Sequence, residues 1–383
     1  MAKSHQKNVV ITGCDIPNSY GYELALCLDH QGYVVFAGCT DCNSVGARSL
    51  ASRGSTRLAV MQIDVTKQDE IDDATEMIQD MIGDEGLWAV VNCAEFYTVA
   101  EADWCSVEDY EQSMQVNYLG TVRVTKSLLH LIRRGRGRIV NLSSMAGCLA
   151  RAGQSAYSAS KFALEAFTDS LRQEMLKWGV YVTLVEPAYF PEGSLVLSEP
   201  QTSVRLKRVP DHVKEVYGED YFVDFINSVS RNDPTTQEEG KSKSTETLLP
   251  KSSSSTLTSG YSSLSSTSAS LKKKMPSGVM ANPGDYDPET QKEEKKRRSL
   301  SLGGGASSTL KSSPDFGNTN RVLHALSEAV TAYSPKVRYF VGSFQDRMVK
   351  SASAFLPTVV MDTYLTSGSL SKCVPKVIKE KQE

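Results

Sequence analysis

Short runs of aliphatic and β-branched residues alternate with longer amphipathic stretches along residues 8–187. Six of these runs predict strands, near residues 8–13, 33–38, 58–63, 88–92, 137–142 and 181–186. Between them, the apolar spacing predicts helices that include residues 71–81, 109–133 and 156–178. The strands are almost entirely apolar, as is typical of strands covered on both faces. The alternation therefore predicts an α/β fold, a doubly wound parallel sheet with helices on both faces.

The composition changes abruptly at about residue 232. Residues 233–314 consist largely of Ser, Thr, Lys and Gly, so they cannot bury enough apolar area to offset their ordering entropy. We predict a disordered insertion there, within a single domain formed by residues 1–232 and 315–383. A basic run at residues 295–298 precedes Ser299 and Ser301, which suits phosphorylation by a basophilic kinase; a solvated run of charges explains it equally well.

The region after the insertion regains an ordered pattern. Residues 320–330 predict a helix and residues 337–341 predict a last strand, which would bring the sheet to about seven strands. Residues 348–365 are apolar but are interrupted by Lys350, Pro357 and Asp362. This C-terminal segment either roofs a substrate pocket, makes a peripheral contact with a membrane surface, or packs into the core.

Charge and composition narrow the class of partner. A net charge of -3 and a pI near 6.1 give no reason to expect nucleic acid as a partner, so a small molecule is the default. The N-terminus resembles no signal peptide, and no apolar run reaches the roughly 20 residues that span a bilayer. We expect a cytoplasmic protein, soluble or peripheral on an intracellular membrane; whether it forms a homo-oligomer stays open.

Eight cysteines are scattered along the chain, which in a reducing compartment predicts small core residues. Cys39 and Cys42 have the C-x-x-C spacing of a redox pair or of half a zinc site. No second pair and no nearby histidine completes a metal shell, so we predict no metal.

Tyr157 and Lys161 carry the strongest chemical signal. Residues four apart share one helical face, so a phenol and an ammonium come together there, and a nearby cation favours the phenolate needed for acid/base catalysis. Ser144 lies just beyond the strand at residues 137–142, where its hydroxyl can donate to a substrate oxygen. Asn117 is polar within an amphipathic helix and can hold water in a proton relay. These four residues are the predicted catalytic set.

Several stretches resemble the short-chain dehydrogenase/reductase family, over residues 8–232 and 315 to about 365. They are residues 9–15 (Val-Val-Ile-Thr-Gly-Cys-Asp), 64–66 (Asp-Val-Thr), 86–92 (Gly-Leu-Trp-Ala-Val-Val-Asn), 117–121 (Asn-Tyr-Leu-Gly-Thr), 137–144 (Gly-Arg-Ile-Val-Asn-Leu-Ser-Ser), 157–162 (Tyr-Ser-Ala-Ser-Lys-Phe), 186–187 (Glu-Pro) and 217–222 (Tyr-Gly-Glu-Asp-Tyr-Phe). The finer resemblance is to the branch of retinol dehydrogenases, 17β-hydroxysteroid dehydrogenases and mitochondrial D-3-hydroxybutyrate dehydrogenase.

The resemblance implies a Rossmann-type fold, an NAD(P) cofactor and a role for each catalytic residue. It implies that Ser144 orients the carbonyl, that Tyr157 is the acid/base, and that Lys161 binds the nicotinamide ribose and lowers the tyrosine pKa. Asn117 would belong to the proton relay. The residues implied to bind the cofactor are Gly13, Ser19, Tyr20, Gly21, Asp64, Val65, Asn92, Tyr157, Lys161 and Pro187.

The chain departs from the family pattern where the cofactor should bind. The family's T-G-x-x-x-G-x-G turn is two residues longer here and has Ser19 in place of the middle glycine, so the cofactor moves outward or the loop is rebuilt. The family's N-N-A-G reads Asn-Cys-Ala-Glu at residues 92–95, which puts Glu95 beside the nicotinamide ribose. Ala188 replaces the glycine of the family's P-G. These departures predict weakened cofactor binding.

Three functions remain in competition. Residues 36–41 offer neither an acid at the strand tip nor an arginine for a 2′-phosphate; similar family members use NAD, so we expect NAD, with NADP possible. Because Gln154 offers no cation for a substrate carboxylate, we favour oxidoreduction of a neutral lipid alcohol or ketone, such as a steroid or retinoid. Arg151 is the nearest basic residue for the alternative, D-3-hydroxybutyrate oxidation. The third hypothesis is a catalytically impaired interaction module.

Overall fold

Seven parallel strands form one sheet in the computed structural model, which describes residues 7–188, 208–230, 319–366 and 375–380. The strands are β1 (Asn8–Ile11), β2 (Val34–Cys39), β3 (Leu58–Gln62), β4 (Ala89–Asn92), β5 (Arg138–Leu142), β6 (Tyr181–Pro187) and β7 (Arg338–Val341). They pair in the order β3-β2-β1-β4-β5-β6-β7. The predicted fold class is confirmed, and every predicted strand lies within two residues of an observed one.

Twelve α-helices lie in the described ranges. They are α1 (Tyr20–His30), α2 (Val45–Arg53), α3 (Gln68–Ile82), α4 (Val107–Ser113), α5 (Thr121–Gly135), α6 (Ser155–Met175), α7 (Asp211–Tyr217), α8 (Glu219–Ser230), α9 (Thr319–Thr331), α10 (Phe344–Ser353), α11 (Thr358–Thr366) and α12 (Lys376–Glu380). None of them is both long and apolar enough to cross a lipid bilayer. The predicted insertion, residues 233–314, and the two serines after its basic run lie outside the described residues.

The two faces of the sheet are covered by different helices, as the apolar strands predict. In β1, Val9 and Ile11 face a cluster that includes side chains of α1, α2 and α9. Val10 faces the opposite cluster, which includes side chains of α3, α5 and α6. Because β1 lies between β2 and β4, the chain winds away from it in both directions. A crevice therefore opens at the carboxyl ends of β1 and β4, the usual ligand position in such sheets.

The predicted helix at residues 109–133 is not one regular helix. It consists of α4, a π-helix (Met114–Gly120) and α5. Asn117 lies within the π-helix, and its buried side chain is hydrogen-bonded to Phe96 and Ser160. The wider turn of the π-helix makes room for these bonds. Because their partners lie far away in the sequence, they leave no local pattern of apolar residues that would predict a π-helix.

Most of the large apolar side chains of the C-terminal segment do not pack into the core. Phe344 and Met348 of α10 and Val359 and Tyr364 of α11 are exposed, whereas Met361 is buried. Most of the large apolar side chains of residues 348–365 thus face outward.

Candidate active site

Tyr157 and Lys161 lie one turn apart at the start of α6 and point toward the carboxyl edge of the sheet. Both side chains are buried, and the Lys161 Nζ atom lies 5.5 Å from the centre of the Tyr157 ring. The Lys161 ammonium donates to the Leu142 carbonyl oxygen at 3.0 Å. It also donates to the Glu95 carboxylate at 2.8 Å. The structure brings the phenol and the ammonium together, with a carboxylate on the same cation.

Two side chains act on the pKa of the Tyr157 phenol in opposite directions. Ser144 follows β5 directly and caps the short helical turn Met145–Gly147. Its hydroxyl lowers the pKa and so favours the phenolate, whereas Glu95 raises the pKa and so favours the neutral form. Burial, followed by the negative charge of Glu95, raises the Tyr157 pKa well above its ordinary value near 10. In this state Tyr157 is therefore a protonated phenol at neutral pH.

Asn117 does not contact Tyr157. Its Oδ1 atom accepts from the Phe96 amide at 2.7 Å, and its Nδ2 atom donates to the Phe96 carbonyl at 2.9 Å and to Ser160 Oγ at 2.9 Å. This amide clamps the loop after β4 to the start of α6. The structure therefore places Asn117 as a support of the site, one residue away from Glu95 along the chain it holds.

The lengthened turn after β1 is rebuilt around its first glycine. Gly13 has a φ of +76°, and a Cβ there would lie 2.7 Å from the Ala94 nitrogen, so only glycine fits. Ser19 caps α1 by accepting from the Tyr22 amide at 3.4 Å. Ser19, which replaces the family's middle glycine, thus serves as the N-cap of α1.

A cavity of about 260 Å³ lies against this turn and the amino end of α1. The predicted cofactor residues that line it are Gly13, Ser19, Tyr20, Gly21, Asp64 and Val65. Asn92 and Pro187, which were also predicted to bind the cofactor, do not line this cavity. Asn92 is buried in the sheet, where its Nδ2 donates to Asn141 Oδ1 at 2.8 Å, and Pro187 lines the neighbouring cavity. Asn92, at the end of β4, therefore lines neither cavity, whereas Pro187, at the end of β6, lines the cavity beside Tyr157.

An acidic side chain lies at the tip of β2 although β2 itself supplies none. The Asp15 carboxylate accepts from the Thr40 amide at 2.6 Å and from the Thr40 hydroxyl at 2.7 Å. Asp15 belongs to the lengthened turn and lines the 260 Å³ cavity. Sequence reasoning missed it because the acid comes from a loop 25 residues away.

A smaller cavity of about 70 Å³ lies beside the Tyr157 phenol. Its lining includes Ser144, Leu149 and Pro187, and it is mostly apolar. Tyr97 also lines it, with its ring edge-on to the Tyr157 ring at 4.7 Å between centroids. Tyr97 was missed by sequence reasoning, since no spacing rule links it to the tyrosine of α6.

Two groups of side chains among the described residues have the composition of a metal site. Burial raises the Cys39 pKa to about 12, so this thiol of the C-x-x-C pair is neutral and packs in the core. Cys148, Glu165 and Glu186 lie within 4.8 Å of one another. Arg338 pairs with both carboxylates, which makes this group an ion-pair cluster.

Comparison with known proteins agrees with this geometry. The family model described as short chain dehydrogenase matches residues 7–195. Rat 17-beta-hydroxysteroid dehydrogenase type 6 is 40% identical over 232 residues, which cover 59% of this chain and 71% of that protein. Bovine mitochondrial D-beta-hydroxybutyrate dehydrogenase is 41% identical over 225 residues, 56% of this chain and 65% of that protein.

Two further proteins are similar to this chain. Mouse estradiol 17-beta-dehydrogenase 2 is 39% identical over 234 residues, 61% of each chain. A solved short-chain dehydrogenase from Streptomyces avermitilis is 27% identical, with a TM-score of 0.46 over 49% of this chain and 67% of that one. The family model and the rat relative, of which the match covers 71%, agree with a seven-stranded parallel sheet that has Tyr157 and Lys161 at its edge. The chain belongs to the short-chain dehydrogenase family.

Proposed function

We propose that this protein interconverts an alcohol and a carbonyl on a neutral lipid, such as a steroid or a retinoid, with hydride passing to or from NAD. The observation that carries the proposal is the buried Tyr157 phenol at the wall of an apolar cavity that Ser144 also lines. A second cavity, suited to a dinucleotide, lies directly beside it.

The residues that line the larger cavity suit the diphosphate and the adenine of a nicotinamide dinucleotide. The amino end of α1 favours a diphosphate because its first backbone N–H groups point outward with the positive end of the helix dipole. Gly13 and Gly21 keep the backbone open there, and Val65 offers an apolar wall for an adenine. The bound nicotinamide would supply or accept the hydride.

The charges along this cavity favour NAD over NADP. Asp15 and Asp64 line the end next to β2 and β3, and no lysine or arginine is among the described residues of the lining. A ribose 2′-hydroxyl can donate to such a carboxylate, whereas a 2′-phosphate would be repelled by it.

The chain's own residues account for the proton half of the reaction. Tyr157 would give its phenolic proton to a substrate carbonyl oxygen, or take the proton of an alcohol in the reverse direction. Ser144 would donate a hydrogen bond to the same oxygen. Lys161 would stabilise the phenolate by its charge, and Asn117 would hold the loop and α6 in register.

The apolar lining of the smaller cavity supports a neutral lipid substrate. A hydroxy acid remains a second candidate because Arg151 also lines this cavity. Within the described part of the chain, the buried Nε atom of Arg151 makes no hydrogen bond. A guanidinium in that position can pair with a substrate carboxylate.

The first test is a titration of the full chain with NADH and with NADPH, followed by nicotinamide fluorescence. We expect saturable binding, with NADH bound more tightly than NADPH. Absence of binding of either cofactor at millimolar concentration would refute the oxidoreductase and favour a non-catalytic interaction module.

The second test is turnover of Tyr157→Phe on a steroid, a retinoid and D-3-hydroxybutyrate. The variant should bind NADH like the wild type but lose at least about a hundredfold in kcat, the usual contribution of a general acid. Tyr333→Phe, at an exposed tyrosine, is the matched control and should keep full turnover. If Tyr157→Phe also keeps it, the assigned role is wrong.

A further inference from the structure

Glu95 stands between Lys161 and the two cavities of the site. The Glu95 side chain lines both the cavity beside Tyr157 and the cavity at α1. Lys161 lines neither cavity, and its side chain is 1% exposed. The carboxylate that binds this ammonium at 2.8 Å thus belongs to a residue that borders both cavities, whereas the ammonium itself borders neither.

The backbone that carries Glu95 is fixed, but its side chain has room to turn. Asn117 holds the next residue, Phe96, through both its amide and its carbonyl. The Glu95 side chain is 13% exposed, on the side of the cavities. A rotation about its side-chain torsions can therefore move the carboxylate off Lys161 while the loop stays in place.

The position of Glu95 conflicts with the proposed reaction. Hydride transfer requires the reacting carbons of cofactor and substrate to touch, whereas the Glu95 side chain lies between the two cavities. Contact of Lys161 with the cofactor also requires its bond to Glu95 to open. From this arrangement, and resting on the proposed function, we propose that Glu95 is a gate that closes the nicotinamide end of the site and swings off Lys161 when cofactor binds.

The closed gate has a physical reason to persist in the empty site. An unpaired ammonium buried at the Lys161 position would be strongly unfavourable, and Glu95 supplies its counter-charge together with an acceptor for Tyr157. Only molecules in which the gate is open can bind the nicotinamide end of the cofactor. The apparent cofactor affinity falls by that fraction, so removal of the gate should recover it.

The test compares the dissociation constant of NADH for the wild type with those of Glu95→Gln and Glu95→Asp, by nicotinamide fluorescence on the full chain. Glu95→Gln keeps the size of the side chain and removes its charge, so we expect NADH to bind roughly tenfold more tightly. Glu95→Asp keeps the charge on a shorter side chain and should fall between the two; it decides the question if Glu95→Gln does not fold. Glu174→Gln removes an exposed carboxylate of α6 and should leave the constant unchanged.

Thermal unfolding gives a second readout that does not depend on turnover. Without cofactor, Glu95→Gln should melt below the wild type because Lys161 has lost its counter-charge, and NADH should raise its Tm by more than it raises that of the wild type. If the wild type binds NADH and neither Glu95 variant differs from it, the gate is refuted while the proposed function stands. If no form binds NADH or NADPH, the proposed function fails and the gate fails with it.

Discussion

The carboxyl end of β6 is held by a cluster of buried charges. Arg338 of β7 pairs with Glu165 of α6 and with Glu186 of β6. Lys350 of α10 pairs with Glu186 as well. Because Glu186 directly precedes Pro187, which lines the cavity beside the phenol, this cluster ties the C-terminal elements to the wall of the site.

Arg338→Met keeps a long apolar stem but removes the cation that two buried carboxylates share. Loss of one partner from a buried pair costs about 3–5 kcal/mol of unfolding free energy. The Arg338 side chain is 34% exposed and Lys350 stays beside Glu186, so we expect about 3 kcal/mol, the lower end of that range. At about 2–4 °C per kcal/mol, the variant should melt about 6–12 °C below the wild type.

The loss should depend on pH in a definite direction. Burial, followed by the charge of Glu186, raises the pKa of Glu165. Its folded-state pKa lies above its unfolded value, so the folded protein loses stability as pH rises through that interval. Arg338 opposes the shift, and its removal raises the Glu165 pKa further. The stability gap between variant and wild type should therefore be small near pH 5 and larger near pH 8.

Thermal unfolding by circular dichroism at both pH values measures this effect. Arg172→Met is the matched control, because Arg172 pairs with Asp169 at 3.5 Å and both side chains are partly exposed; the expected cost is less than about 1 kcal/mol. The reasoning is wrong if Arg338→Met melts no lower than this control, or if its deficit is larger near pH 5 than near pH 8.

Two further changes test the turn after β1 and the support behind the site. Gly13→Ala would place a Cβ 2.7 Å from the Ala94 nitrogen, so we expect it to lower the free energy of unfolding by more than about 2 kcal/mol and to weaken NADH binding. Gly32 also has a positive φ but has nothing within 4 Å of an added Cβ, so Gly32→Ala is the control and should cost about 1 kcal/mol. Equal costs for the two variants would show that the clash at Gly13 does not matter. Asn117→Ala removes the three hydrogen bonds of a buried side chain and should cost about 2–4 kcal/mol in urea unfolding, whereas an unchanged midpoint would show that these bonds do not stabilise the fold.

The sheet was predictable because its strands are continuously apolar, and such runs are recognised without knowledge of their partners. β7 follows 82 residues of insertion-like composition, yet its own pattern still marks it as a strand. The π-helix was not predictable. It depends on the contacts of Asn117 with Phe96 and Ser160, which are 21 and 43 residues away.

The candidate site was predictable to the extent that its chemistry is local. Tyr157 and Lys161 are four residues apart on one helix, so their meeting follows from helix geometry alone. The sequence flagged Glu95 as a misplaced carboxylate, but its bond to Lys161 joins residues 66 positions apart. The Ser19 cap of α1 is local, since it joins residues three positions apart, and Ser is a preferred N-cap residue; sequence reasoning missed it because Ser19 was compared with the family's middle glycine.

Both departures from the family pattern place carboxylates along one cavity, and their consequences are separable. Asp15 is held by backbone and hydroxyl donors of β2's tip, so it is a fixed charge that acts on whichever ligand lies there. Glu95 is held by a single buried ammonium, so it is a charge that a ligand can displace. Under the proposed function, we expect the first to discriminate between cofactors by their 2′-substituent and the second to lower the affinity for both of them equally. Neither carboxylate requires any change in Tyr157 or Ser144, so the proposed proton transfer is compatible with a cofactor loop that departs from the family pattern.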